Sequence, residues 1–584
     1  MDSKSFSAVS PEPLLEWLSE PSEDAGLHTA EASAGWSYTS YADLAREVRS
    51  FAAGLVARRL PTGTVVTLMV SDPKEFVVSF FGCLLAGTTP SPVMPRTGFR
   101  KGGGYLDHVA GIFSTARPGL VVVGAESVDW ARKGLAQADA VADLTTVDEA
   151  VRTGGRLEGE VALPTGLPSD RLALLQFTSG SSGAPKGVRV TWGALTENVM
   201  SIRKWLGYTS ADRFAGWLPL FHDMGLIGQM LTSVTTRVDL WIMTPEQFIR
   251  APRRWLECFG RYGATVTTSP SFGYSYAARR IKPDDLQGFD FSRWRVAILG
   301  AERIDPLGVK EFTRLVGPLG FDPHALVGAY GLAESTLAVT GVRPGDGSVL
   351  VRVESTAVGL GSPVGATREG VLGESEHGSG DHLVGCGRPL DGMAVRVVDD
   401  GGADVPDGCI GEIVIAGSSL AEGYVFSDGA ETDFDKDGHR TGDAGFLLSG
   451  ELFVVGRLGD CVKVRGAMVF AEDLEIELES VAGVGPGRVA VLLGRSDGVD
   501  RAVALIESSG PQEWLDRCDK IIATLQSRTS PQFDCSVYSG RPGSIDRTSS
   551  GKPRRRVIWR SLLADEPTGW TPVAATAAEK GEQK

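Results

Sequence analysis

Gln176-Phe-Thr-Ser-Gly-Ser-Ser-Gly-Ala-Pro-Lys-Gly187 is the stretch that orders the rest of the chain. It begins where Leu172-Ala-Leu-Leu-Gln-Phe177, a short apolar run that reads as a buried strand, gives way to hydroxyls and glycines. Gly180, Gly183 and Gly187 allow backbone to approach a ligand closely. Thr178, Ser179, Ser181 and Ser182 supply neutral donors, and Lys186 adds a positive charge, a combination suited to a polyphosphate. The GxxxxGK[ST] order of a Walker A loop is absent, which argues against an ordinary P-loop NTPase. Read alone, the same letters also fit a Gly/Ser-rich surface turn.

Outward from this loop the chain alternates short apolar strands with amphipathic helices. Upstream, Leu44, Val48, Phe51, Ala52 and Leu55 recur at helical spacing, residues 64–70 form a β-rich run, and Phe76 to Ala86 reads as a buried helix. That apolar stretch is too short to cross a bilayer. Downstream, strands are predicted at 264–270, 294–300 and 325–331. This rhythm predicts α/β layers with largely parallel sheets. Residues 346–384 are rich in Gly, Ser and Glu with weak periodicity, and read as an inserted, partly mobile surface segment. Smaller β-rich units follow near 393–417, and a helix, a strand near 502–508 and a second helix at 513–528 complete a C-terminal α+β unit.

Composition limits the function classes. The 584 residues are about four domain lengths, so two or more domains are expected. A formal net charge of −15 disfavours nucleic acid and anionic lipid as partners. Arg554 to Arg560, RRRVIWR, is a basic stretch that reads as a solvated helix face. The seven cysteines show no CxxC and the seven histidines no HExxH, so neither a structural zinc nor a disulfide framework is predicted. The N-terminus lacks a signal-peptide core, and the chain reads as cytoplasmic, without a membrane span.

Four more segments follow the loop in a fixed order: Tyr330-Gly-Leu-Ala-Glu334, Thr441-Gly-Asp443, Gly456-Arg457 and Ser550-Gly-Lys552. Together the five resemble the motifs of the adenylate-forming superfamily that contains acyl-CoA synthetases, peptide-synthetase adenylation domains and luciferases. Residues 80–96, 217–231 and 384–389 are most similar to the fatty acyl-AMP ligases, and the segment before Cys386 lies where those ligases carry an insertion. The resemblance covers roughly residues 30–560.

It implies an α/β fold: a large N-terminal region of two α/β subdomains plus a small β subdomain over residues 1–455, a hinge at 456–460, a mobile α+β C-terminal domain at 461–564, and a disordered tail at 565–584. It implies ATP with Mg²⁺ as cofactors, a hydrophobic carboxylic acid as substrate, and a thiol acceptor, either CoA or the phosphopantetheine of an acyl carrier protein. By the same resemblance Thr178 to Lys186 hold the β,γ-phosphates, and Glu334 binds Mg²⁺ beside the α-phosphate. Asp443 accepts from the ribose hydroxyls, Arg457 reaches the sugar or phosphate, and Tyr330-Gly331 flanks the adenine. Gly300-Ala301-Glu302 forms the adenine-binding segment, although a strand-end turn explains those residues almost as well. His222 lies near the acid's carboxylate, and Lys552 neutralises charge on the α-phosphate. Phe272, Gly273, Tyr274 and Met230 either line the acyl tunnel or pack the core.

The sequence also departs from the pattern. Trp192 stands where a histidine is usual, Gly459 occupies the hinge position, and Asp546 adds negative charge near Lys552. The expected course is acyl-AMP formation and transfer to a carrier-protein thiol. Alternatives are an acyl-CoA ligase, one proficient only with supplied acyl-AMP included, and a non-catalytic acyl-adenylate-binding relative.

Overall fold

The computed structural model describes residues 12–33, 35–96, 104–157, 161–179, 185–356, 358–374, 382–435, 438–464, 467–485, 487–496, 498–508, 515–547, 552–563 and 569–576. Gly180 to Gly183 of the loop therefore lie outside the described residues.

A nine-stranded sheet forms the centre of the large domain. The strands Leu326–Gly331, Val296–Leu299, Val266–Ser269, Arg213–Gly216, Asp239–Ile242 and Gly26–Ala30 run parallel to one another. Antiparallel strands close both edges. A second sheet of four strands, Thr89–Pro92, Val65–Met69, Leu120–Val123 and Asp143–Thr146, is parallel throughout. Its two central strands, VVTLM and LVVV, are nearly continuous apolar runs, as a parallel sheet buried on both faces requires: Val66, Leu68, Leu120 and Val122 are fully buried.

The helices begin where the chain supplies a cap. Ser40 accepts from the Asp43 N–H, and Asp72 accepts from Glu75 N–H ahead of Pro73. Thr191 caps the helix Trp192–Leu206. Trp192 is its first residue and is only 2% exposed, so the departure from histidine is spent on core packing.

The expectation of largely parallel sheets fails where the glycine-rich loop sits. Leu172–Ser179 and Pro185–Thr191 form an antiparallel hairpin that pairs on with Gly423–Val425. The physical reason is the short connection, since parallel strands need a crossover of a dozen or more residues. Segment 346–384 is likewise more regular than its composition suggested. Val349–Arg352, Thr367–Val371 and His382–Val384 build a three-stranded antiparallel sheet. Val351, Val353, Val364 and Leu383 from this region share a buried cluster with Met468 and Phe470 of the C-terminal domain.

Beyond the turn Leu458–Asp460, the C-terminal domain is α+β. A hairpin, Cys461–Val464 with Ala467–Phe470, precedes the helix Ala471–Ala482 and a four-stranded sheet. The fourth strand, Trp570–Ala575, falls in the tail that was expected to be disordered; it pairs antiparallel with Asp534–Gly540. Trp570 anchors it, 9% exposed and seated over Gly540, where a β-carbon would lie 2.6 Å from the indole. No helix among the described residues is long and apolar enough to cross a membrane.

Candidate active site

Four segments far apart in sequence converge between the large domain and the C-terminal domain. Thr178 and Lys186 face each other across the hairpin. The Lys186 ammonium stands 5.0 Å from the centre of the Tyr424 ring and 5.6 Å from that of Phe426. Tyr424 sits on the neighbouring strand, opposite Val188, and its hydroxyl donates to Glu334 Oε1. One tyrosine therefore touches both the loop lysine and the carboxylate expected to hold a metal. Tyr424 was missed by sequence reasoning, and no spacing signal marks it; only the strand pairing brings it there.

Glu334 follows the strand Leu326–Gly331, and its carbonyl accepts from the Ala421 N–H at 2.9 Å. Gly331 is required by a close crossing, because a β-carbon there would fall 1.9 Å from the Leu337 carbonyl oxygen. Tyr330 lies one residue earlier on the same strand. Its hydroxyl donates to Asp443 Oδ2 at 2.8 Å, while Arg457 Nε donates to Asp443 Oδ1 at 3.0 Å. Asp443 and Arg457 are register partners on the antiparallel strands His439–Leu448 and Glu451–Arg457. Asp443 keeps lone pairs on both oxygens beyond these two bonds, so it can still accept from hydroxyls. Burial, then the charge of Asp443, holds the Tyr330 phenol protonated well above its usual range, whereas Asp443 raises the Arg457 guanidinium further.

Gly300 and Ala301 follow the strand Val296–Leu299, and Ala301 takes a left-handed φ of 67°, a strained choice for a residue with a β-carbon. Glu302 was expected to belong to a backbone surface for adenine. Its side chain closes the N-terminus of the helix Ser271–Arg280, accepting from Phe272 N–H at 2.9 Å and Ser271 Oγ at 2.8 Å. Of the two readings of Tyr274, its surroundings support core packing: it is fully buried, donates to the Ile298 carbonyl at 3.1 Å and packs on Trp255 and Phe312. Met230 is also core, whereas Phe272 is largely exposed.

His222 and Asp223 open a π-helix, Met224–Leu231, with the Phe221 ring 5.0 Å from the imidazole. Asp223 accepts from Met224 N–H at 2.7 Å. Burial raises its carboxyl pKa, Glu334 pushes it further, and Lys552 counters.

Lys552 completes the set. It keeps solvent-accessible surface, but atoms of both domains crowd its ammonium. That crowding lowers its pKa most, Arg457 adds to the lowering, and Asp443, Asp223 and Glu302 oppose it. The ammonium therefore lies in the field of three of the large domain's carboxylates. Its segment is held by ion pairs. Arg555 binds Glu475 at 2.9 Å and Asp460 at 2.9 Å, with Glu472 at 3.4 Å. Thus the basic run is not a solvated face at Arg555, whose side chain is 11% exposed. Asp546 is paired with Arg554 at 3.1 Å, which answers the concern that it opposes Lys552. Across the domain boundary, Arg303 pairs with Asp473, and Thr356 Oγ1 donates to the same carboxylate at 2.8 Å.

The donor chemistry fits the implied ligands. Mg²⁺ is commonly held by one or two carboxylates with substrate phosphates and water. A lone Glu334 suits that pattern, and no group of three or more metal-binding side chains occurs among the described residues. All seven cysteines are free thiols.

Comparison with known proteins gives a concordant result. The family model described as AMP-binding enzyme matches residues 23–425. A Caulobacter vibrioides protein provisionally named an acyl-CoA synthetase is 31% identical over 90% of this chain and 90% of its own length. The medium-chain-fatty-acid–[acyl-carrier-protein] ligase JamA of Moorena producens is 29% identical over 93% of both chains. A solved structure from a study of fatty acyl-adenylate ligases of E. coli and L. pneumophila superposes with a TM-score of 0.80, at 26% identity, covering 95% of this chain and 98% of the other.

Proposed function

The chain belongs to the AMP-binding enzyme family and forms acyl-adenylates with ATP, and we propose that it activates a hydrophobic carboxylic acid for transfer to the phosphopantetheine thiol of a carrier protein. The observation that carries the reading is the meeting of Lys186, Glu334, Asp443 and Lys552, from four segments, around one cleft.

Activation brings two anions together. The acid's carboxylate oxygen bonds to the α-phosphorus, the bond to the bridging oxygen breaks, and pyrophosphate leaves. Asp443 receives the ribose hydroxyls, with Tyr330 and Arg457 fixing its two oxygens. Thr178 to Lys186, Ser179, Gly180, Ser181, Ser182 and Gly183 included, hold the departing phosphates. Glu334 holds Mg²⁺, whose role is to offset phosphate charge. Tyr424 donates to the Glu334 carboxylate and keeps its ring beside Lys186, so the carboxylate that would hold the metal and the lysine of the loop share one anchor. Lys552 supplies the preorganised cation where negative charge gathers on the α-phosphate. His222 and Asp223, at the head of the π-helix, border the entering carboxylate.

In the second step a thiol attacks the acyl carbonyl and AMP departs. The carrier-protein acceptor is supported by the Moorena relative, which is named for that acceptor, and by the segment 349–384, which packs on the C-terminal domain. The decisive experiment incubates the protein with ATP–Mg²⁺ and an acid panel, then offers holo-carrier protein or CoA, with presynthesised acyl-AMP in a parallel arm. Acyl-AMP formed and passed to the carrier but not to CoA is the expected result. CoA ester at comparable rate overturns the acceptor, and absence of adenylate with every acid overturns the substrate class.

A further inference from the structure

Gln229 lies on the π-helix that starts at the catalytic cluster, and it is an anomaly in the core. It is 0% exposed, and neither its Oε1 nor its Nε2 has a hydrogen-bond partner. Its helix neighbours Leu226, Ile227, Met230 and Leu231 are fully buried and apolar. A buried carboxamide without partners carries the desolvation cost of both its donor and its acceptor.

Two features aim this amide at the seam between helix and sheet. In a π-helix the i→i+5 bonding places residues five apart on one face, and here Thr232 N–H bonds back to the Ile227 carbonyl. Met224 and Gln229 therefore share a face. Met224 Cε lies 3.6 Å from where a β-carbon on Gly300 would stand, beside the segment that follows Leu299. The Gln229 amide lies against the sheet at Gly216, where a β-carbon would fall 2.0 Å from its Oε1. Glycine at 216 is thus what admits the amide. Six residues separate Asp223 from Gln229, at most about 9 Å at the α-helical rise. An acid whose carboxyl sits near Lys552 and whose chain follows this helix inward meets the Gln229 amide.

Building on the acyl-adenylate reading above, we propose that Gln229 is a specificity-determining residue that binds a hydroxyl carried midway along the acyl chain. A carboxamide offers one acceptor and a donor pair, and a secondary hydroxyl is both donor and acceptor, so one ligand group satisfies both sides. An unsubstituted alkyl chain leaves the amide unpaired, which is how a polar site rejects an analogue lacking the polar group.

The test is ATP–pyrophosphate exchange with acids of equal length, one unsubstituted and the others bearing a single hydroxyl walked along the chain. The wild-type protein is expected to prefer one hydroxyl position by roughly 10- to 100-fold in kcat/KM. Gln229→Met is expected to invert that preference, with thermal melting run alongside. A wild-type protein indifferent to every hydroxyl position overturns the proposal, as does a Gln229→Met variant that lowers all acids equally or shifts only its melting temperature. Should Gln229→Met fail to fold, the wild-type hydroxyl walk decides alone. Failure to adenylate any acid is a different result: it removes the acyl-adenylate reading, and this proposal with it.

Discussion

Asp443 and Lys552 reach the same cleft from scaffolds that rely on different physics. Asp443 stands on the strand His439–Leu448 and forms the end pair of an antiparallel ladder with Arg457, with Tyr330 closing on it from a strand of the central sheet. Backbone pairing sets its position and short neutral or charge-assisted bonds set its orientation. Lys552 has no ladder of its own. Its segment is held by the isolated bridge between Arg547 and Pro553, and by Arg555 gripping carboxylates of the turn and of the helix Ala471–Ala482. The nucleotide end is therefore built into the sheet, while the lysine end is hung on ion pairs. A position set by side-chain charge can be weakened one ion pair at a time, whereas a position set by backbone pairing cannot.

The largest expected effect separates the two ends outright. Lys552→Ala is expected to cut acyl-AMP formation by about 10²- to 10³-fold while acyl-AMP, measured by calorimetry, still binds. Near-normal ATP–pyrophosphate exchange would show that the cleft does not depend on this cation. The pH profile sharpens the same point. Crowding lowers the Lys552 pKa, and the protonated form is the active one, so adenylation is expected to fall on the alkaline side before the usual lysine value of about 10.4. A rate that holds to that value removes the crowded site.

Arg555→Met tests the hanging itself. It leaves Glu475, Glu472 and Asp460 facing one another, and a broken buried pair of this kind costs about 3–5 kcal/mol. Glu472, already pushed up to about 7 mainly by burial, takes a proton more readily once the guanidinium is gone. Melting of the C-terminal domain should fall, and fall most at high pH, where these carboxylates are all charged. An unchanged melt would mean that the bridge and the strands carry the segment alone. Asp443→Asn comes next, at about 2 kcal/mol or roughly 30-fold, expected in the KM for ATP rather than in kcat. A loss confined to kcat would place Asp443 at the reacting atoms instead of at the sugar.

These two ends were also unequally legible in the sequence. Thr178 and Lys186 were legible from a loop of hydroxyls and glycines that follows a strand, and Tyr330, Glu334, Asp443 and Arg457 from motifs in a fixed order that resemble a known family; the structure brings these residues together. Tyr424 was not legible because its place depends on a strand pairing with a partner more than two hundred residues away. Arg555 read as solvated because its neighbours in RRRVIWR are basic, while the carboxylates that bury it come from 460–475. Trp570–Ala575 contains a proline and only one large apolar anchor, too little periodicity to signal a strand. At Glu302 the strand end was legible, while the helix that its side chain caps lies some thirty residues earlier and was not.

The smallest effect bears on whether the two ends are held together. Arg303 follows the strand-end segment Gly300-Ala301-Glu302 of the large domain, and Asp473 lies in the first turn of the C-terminal helix. Their side chains are 15% and 24% exposed, so the pair is screened less than a surface bridge, yet it still meets water. Arg303→Gln is expected to remove about 1 kcal/mol from the arrangement that presents Lys552, slowing adenylation roughly five-fold. On the role proposed for Lys552, the same change should leave transfer from supplied acyl-AMP unslowed. Thr356 donates to the same carboxylate, so Asp473→Asn disturbs two contacts and should slow adenylation more than Arg303→Gln does. Equal slowing of both half-reactions would mean that the pair supports folding in general. Selective slowing of the first would tie it to the position of the lysine.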